Sequence, residues 1–153
     1  MNIKRGPWTI KKRIRRYKDK WLELNVDDVI RPDGKPGTFS SVIIMPGSSI
    51  LPIDNKGFVY LSKEFHYSIN KYHIEVVGGG IEEGSNPLQA AKKELLEESG
   101  IKAKKWTKLG ILHPLTSQLY APIHLFLARD LLFGKQRLEG TEDIKMIKVK
   151  LEK

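Results

Sequence analysis

The chain has 153 residues, enough for one hydrophobic core and too few for two comfortable domains. Hydrophobic residues at 40% and charged residues at 29% exclude an extended disordered chain, and no apolar run is long enough to span a bilayer. Cysteine is absent, which excludes disulfides, thiolate metal ligands and a cysteine nucleophile. With no apolar leader block in the first thirty residues, the expected location is cytoplasmic, with no membrane partner. The net charge is +9, from 27 Lys and Arg against 18 Asp and Glu, and it is concentrated at one end: residues 1–20 carry nine bases and one acid, Asp19. Such an arm attracts anionic ligands, but exposed lysine and arginine also serve solubility, so nucleic acid ranks behind a small nucleotide as the expected partner.

Alternating apolar residues at Trp8, Ile10 and Ile14, followed by strand formers in Trp21 to Ile30, predict a hairpin of Trp8–Tyr17 with Trp21–Arg31 around Lys18-Asp19. Arg31-Pro-Asp-Gly-Lys-Pro-Gly37 is a dense turn signal, so a new strand begins near Phe39. Ser41–Met45, Gly57–Phe65 and His73–Val77 read as strands separated by Pro-Gly, Asp-Asn-Lys-Gly and Asn-Lys. Asn86-Pro87-Leu88-Gln89 has the form of a helix start, with asparagine at the cap and proline at the first helical position, and Gly100 ends the helix. Further strands follow at Trp106–Leu112, Ile123–Ala128 and Ile144–Val149. Many strands with one convincing helix predict an α+β architecture built on a mixed sheet.

The helix carries the chemistry. At about 100° per residue, Leu88, Ala91 and Leu95 form its apolar stripe while Glu94, Glu97 and Glu98 gather beside it; Glu98 projects at nearly the angle of Ala91 and belongs at the core boundary. Two unit charges about 6 Å apart at an effective dielectric near 20 repel by roughly 3 kcal/mol, so partly buried these acids require a cation. Oxygen-only ligands suit Mg²⁺ or Mn²⁺. The run Gly78-Gly79-Gly80 before the helix lets backbone approach such a ligand closely.

The stretch from Gly79 to Ile101 resembles the Nudix box, whose pattern is Gly, five residues, Glu, seven residues, Arg-Glu-apolar, one residue, Glu-Glu, one residue, Gly-apolar. Seven of its nine fixed positions match, at Gly79, Glu94, Leu95, Glu97, Glu98, Gly100 and Ile101. The resemblance extends through Asp28–Gly34, Val59-Tyr-Leu61, Ile74-Glu-Val76, Leu109–Pro114 and Leu125–Ala128, and this outer pattern looks most like the ADP-ribose pyrophosphatase branch. It implies a single Nudix domain over 1–153, with basic N-terminal strands in 1–36 and a core in 37–153. The implied fold is a Nudix-like α/β/α sandwich, here expected without the usual C-terminal helix. The implied activity is metal-dependent hydrolysis of a nucleoside diphosphate linked to another group, most of all ADP-ribose or a related nucleotide sugar. The alternative is a Nudix-fold protein that binds a nucleotide or an RNA 5′ end with weak or no catalysis.

By the same resemblance Glu94 and Glu98 are the main metal ligands, with Glu97 and the Gly78 carbonyl beside them. The general base comes from the late acidic loop Glu139-Gly-Thr-Glu142-Asp143; Glu142 is favoured, with Glu98 and Glu139 as alternatives. Substrate contacts are expected from Gly79, His66 and Arg31. The base would stack on an aromatic surface, for which Trp21, Phe39 and Tyr67 are candidates, and relatives build that pocket across a homodimer. Three positions depart from the pattern. Ser85 and Lys93 stand where the box has Glu and Arg, a pair that braces loop against helix, and His66 replaces an arginine used near the phosphates. His73, His113 and His124 show no metal spacing and read as structural.

Overall fold

The computed structural model describes residues 2–152. In chain order the elements are β1 (Ile3–Arg5), β2 (Trp8–Lys18), β3 (Leu22–Ile30), β4 (Pro36–Ile44), β5 (Gly47–Pro52), β6 (Phe58–His66), a 3-10 turn (Tyr67–Ile69), β7 (Lys71–Glu75) and β8 (Val77–Gly80). There follow α1 (Pro87–Ser99), β9 (Ile101–Leu112), β10 (Leu119–Tyr120), β11 (Ile123–Phe133) and β12 (Ile144–Lys150). The chain divides into two compact units: residues up to Met45 with His113–Pro122, and Pro46–Leu112 with the chain from Ile123 onward.

The first unit is a sheet of order β1-β2-β3-β4-β10, antiparallel except where β10 runs parallel to β4. The expected hairpin is present, and Asp19 closes it: its Oδ1 accepts from the main-chain N–H of Trp21 (2.7 Å) and Leu22 (2.8 Å). Such an Asx turn replaces the ladder bonds that the reversal removes. Two bulges interrupt the pairing of β2 with β3, at Lys11 and Arg16. Inside the sheet, the Arg13 guanidinium holds the buried Asp27 carboxylate by two bonds of 2.9 and 2.8 Å, and this pairing raises the arginine pKa.

The second unit contains a four-stranded sheet, β8-β5-β11-β9, in which β5 and β11 are parallel and the other pairs antiparallel, and a three-stranded sheet, β12-β6-β7. Its core joins Ile50, Val77, Ala91, Leu95, Ile101, Phe126 and Ala128, so α1 lays its small and aliphatic face on the four-stranded sheet. Burying Leu95 completely is worth about 1.5–3 kcal/mol. The helix starts and stops where its sequence says. Asn86 Oδ1 accepts from Leu88 N at 2.9 Å, Pro87 occupies the first position, and Gly100 turns left-handed at φ 69° while donating to the Leu96 carbonyl.

One expectation needs correction. The strand expected over His73–Val77 is split at Val76, and its halves belong to different sheets: β7 pairs with β6, whereas Val77 enters the core and leads β8 along β5. The glycine run is therefore a strand. Glycine permits it, because a Cβ on Gly78 would lie 2.3 Å from the Ser48 carbonyl oxygen. Among the described residues α1 is the single α-helix, and no helix is long and apolar enough to cross a membrane.

Candidate active site

Strand β8 and helix α1 bring the box residues together. Gly79 leaves the room that the Glu94 carboxylate fills, since a Cβ there would lie 2.5 Å from Glu94 Cδ. One turn further, Glu98 is only 6% exposed, and the sole hydrogen bond to its carboxylate among the described residues is a long 3.4 Å contact from Gly78 N–H. Burial, then the charges of Glu94, Glu142 and Glu64, push the Glu98 pKa up to about 8 against that one opposing donor. Glu94 is also raised, first by burial, then by Glu97 and, after partial relief from Lys93, by Glu142 and Glu139.

The late loop is tied to the end of α1. The orphan carbonyls of the helix's last turn accept from the loop: Arg137 N–H reaches the Glu97 carbonyl at 2.8 Å, and the Gln136 side-chain amide reaches the Glu98 carbonyl at 2.5 Å. Gly134 N–H donates to the Gly100 carbonyl at 2.8 Å. The loop then turns so that Glu142 Oε2 accepts from Glu139 N–H (2.8 Å), and its charge is felt at Glu64, Glu94 and Glu98. Glu64, on β6, was missed by sequence reasoning. Its own pKa is raised, chiefly by burial. Its only sequence signal was an acid inside the strand expected over Gly57–Phe65. Gln136 and Arg137 were missed as well, because nothing local marks a contact across 38 residues.

At the departures, Lys93 is not left unmatched. Its ammonium lies 3.9 Å from Glu97, one turn along the helix, and 4.0 Å from Glu82 in the loop before it. Ser85 closes that loop by donating its N–H to the Glu82 carbonyl. Lys93, Glu82, Ser85 and Glu94 line a small cavity of about 130 Å³.

His66 ends β6 with Nε2 2.6 Å from Glu75 Oε1 on β7. Glu64, His66 and Glu75 form the one His and carboxylate trio among the described residues whose donor atoms all lie within 4.8 Å of one another; the three box carboxylates are spread more widely. The remaining candidates divide. Arg31, Trp21 and Phe39 all belong to the first unit. Arg31 is ion-paired with Asp33 in its turn. Phe39 meets Trp8 edge-on at 5.4 Å in a cavity of about 670 Å³ that Arg5, Arg13 and His113 also line. Trp21 lies outside that lining, exposed, with the Lys20 ammonium 4.7 Å above its ring, and Tyr67 is fully exposed on the 3-10 turn. His124 keeps a buried Nδ1 without a hydrogen-bond partner among the described residues, and burial lowers its pKa.

A NUDIX domain model matches residues 44–145, and a model of the nucleoside diphosphate sugar hydrolase N-terminal domain matches 6–42. An ADP-ribose pyrophosphatase of Bacillus subtilis (strain 168) is 32% identical over 141 residues, covering 89% of this chain and 75% of the relative. A methanol dehydrogenase activator of Bacillus methanolicus is 27% identical over 80% of this chain and 65% of its own, and an ADP-sugar pyrophosphatase of Mus musculus is 29% identical over 56% and 44%. Among solved structures, an ADP compounds hydrolase superposes with a TM-score of 0.77 at 19% identity, covering 92% of this chain and 77% of that one, which shows the shared fold. With its box glycine packed on the first box carboxylate and two thirds of its length matched by the domain model, the chain belongs to the Nudix family, as a pyrophosphohydrolase of the ADP-ribose pyrophosphatase-like kind.

Proposed function

We propose that this chain hydrolyses ADP-ribose or a related nucleotide sugar to a nucleoside monophosphate and a sugar phosphate, using Mg²⁺ or Mn²⁺ held by Glu94, Glu97, Glu98 and the Gly78 carbonyl. The observation that carries the proposal is Glu98: a carboxylate 6% exposed, beside a second raised carboxylate, with one long hydrogen bond. So deeply buried, such a group is a poor structural residue and a good ligand for a hard cation, and the donor set is all oxygen. A divalent ion held by those residues would supply neutralising charge for the transferring phosphoryl group and a more nucleophilic water.

The chain's own groups do the rest. Glu142 takes the proton from the attacking water, its carboxylate oriented by the Glu139 N–H bond, with Glu98 and Glu139 as the other acids in reach of that duty. The water oxygen bonds to one phosphorus, the bridging P–O bond breaks, and the second phosphate leaves. In this reading Gly79 and His66, of the second unit, serve the phosphates; in the first unit Arg31 is a further substrate contact, and Trp21 and Phe39 supply flat surfaces for the base. The aromatic, arginine-lined cavity around Phe39 suits a nucleotide and supports that role for Phe39. A homodimer completes the base pocket, and a cysteine-free chain suits the cytoplasm.

The second reading, a nucleotide-binding protein with little turnover, draws on Ser85 and Lys93, which replace the box's own brace. A phosphate-release screen coupled to phosphatase separates the two. ADP-ribose, other nucleotide sugars, dinucleoside polyphosphates and capped RNA are offered with Mg²⁺ or Mn²⁺, alongside Glu98→Gln. Turnover of ADP-ribose that falls on the order of 10³-fold in Glu98→Gln supports the hydrolase. Nucleotide-induced stabilisation without turnover of any substrate supports the binding protein.

A further inference from the structure

The hairpin of β6 and β7 carries a second group of metal-ligating side chains. The 3-10 turn closes it, with Asn70 left-handed at φ 52°. The register sets Glu64 opposite His73, Ser62 opposite Glu75 and His66 opposite Lys71. Side chains alternate between the two faces of a strand, and directly paired residues share a face. Glu64, His66, His73 and Glu75 therefore stand on one face, as Glu64-Phe-His66 on β6 and His73-Ile-Glu75 on β7. Six residues separate the two motifs in the chain, so their spacing emerges only when the strands pair.

The side chains converge. His66 Nε2 lies 2.6 Å from Glu75 Oε1, and the donor atoms of Glu64, His66 and Glu75 all fall within 4.8 Å of one another. The His73 ring stands at 87° to that of His66, with centroids 6.0 Å apart. Ligand atoms held at about 2.0–2.2 Å from one ion lie roughly 3 to 4.4 Å from each other, so small side-chain rotations bring the three onto it. A simple ion pair of His66 with Glu75 does not complete the group. It leaves Glu64 without a hydrogen bond or ion pair among the described residues, diagonal to Glu75, and like charges across a ladder repel. Lys71, on the same face of β7, pairs with neither acid among the described residues. Two carboxylates with an imidazole call for a cation, and mixed nitrogen and oxygen donors suit zinc and its neighbours better than Mg²⁺. The box, whose donors are all oxygen, has the opposite preference.

We propose that Glu64, His66 and Glu75 form a second cation site, for a zinc-class divalent ion, with His73 in position as a fourth ligand. Arginine is always charged and imidazole is not. An ion here therefore returns positive charge to the position where the resembled pattern has arginine.

The test uses the full chain, stripped of metal and held in excess Mg²⁺ to occupy the box. Zn²⁺ is titrated by calorimetry, and the histidine ring signals are followed by NMR. A single zinc should bind, moving the ring signals of His66 and His73 and leaving that of His113 in place. Glu75→Gln and His66→Gln should each weaken Zn²⁺ at least about thirtyfold, since each removes a ligand at nearly constant volume. His73→Gln should weaken it about tenfold. Glu98→Gln should bind zinc as the wild type does. Three results overturn the proposal: zinc affinity no higher in the wild type than in Glu75→Gln, zinc lost in Glu98→Gln but kept in Glu75→Gln, or an unmoved His66 signal at saturation. Nothing in the titration depends on turnover, so an inactive chain that binds zinc in this way supports the site while contradicting the hydrolase reading.

Discussion

Helix α1 and strand β2 carry the two densest charge groups of this chain, and they behave differently because one is buried and the other is wet. On α1, Glu94 and Glu98 are packed against β8, and burial drives Glu98 toward neutrality. On β2, six bases stand along a sheet edge in water, where a like charge costs little and salt screens the rest. The lesson is that charge density does not mark a catalytic site; desolvated charge does. The acids are energetically incomplete without a ligand, whereas the bases merely attract one.

The largest effect expected from this contrast is on stability in metal-free buffer. Glu98 has a folded-state pKa of about 8 against an ordinary value of 4.5, and Glu94 and Glu64 are shifted the same way. A raised carboxyl binds its proton more tightly when folded, so its stabilisation is complete below about pH 4.5 and is lost as pH rises to about 8. Denaturant melts should therefore show on the order of 3 to 5 kcal/mol lost across that window, and Glu98→Gln should remove most of the slope. No comparable pH slope in the wild type would break the contrast.

Next comes the loop. Glu142→Gln removes the proposed base while retaining an oxygen for the Glu139 N–H, so the fold should hold while kcat falls by about 10²-fold. Its pH–rate profile should lose the limb that belongs to the base. Gly79→Ala should act through Glu94: the added Cβ displaces the flexible end of a side chain, so thermal stability changes little while metal affinity drops about tenfold. The smallest effect is at the departures. Ser85→Glu with Lys93→Arg should together raise the rate a few-fold by replacing the loose contacts of Lys93 to Glu82 and Glu97 with a bidentate pair. No gain from the double variant removes that explanation of the altered box.

Much of this was readable from the chain because it is local. The caps at Asn86 and Gly100, the hairpin around Asp19 and the burial of Glu98 all follow from spacing within one element. What was not readable depends on partners far along the chain. The glycine run carries no strand signal of its own and becomes β8 because β5 lies beside it, and the split of β7 from β8 at Val76 follows from two different neighbours. Glu64 gains its environment from burial and from His66 and Glu75, with Glu142 adding least, and the loop finds α1 through Gln136 and Arg137, which carry no motif. The pairing of Lys93 with Glu82 escaped for the same reason.

The central claim is that the desolvated acids of α1 complete themselves with a divalent cation. Titration calorimetry of Mn²⁺ and Mg²⁺ into the wild type and Glu98→Gln, near pH 7 and in two buffers of different ionisation enthalpy, tests it directly. The account predicts metal binding coupled to proton release in the wild type, with affinity reduced at least about thirtyfold and proton release largely lost in Glu98→Gln. Equal affinity and equal proton release in the two proteins would contradict it.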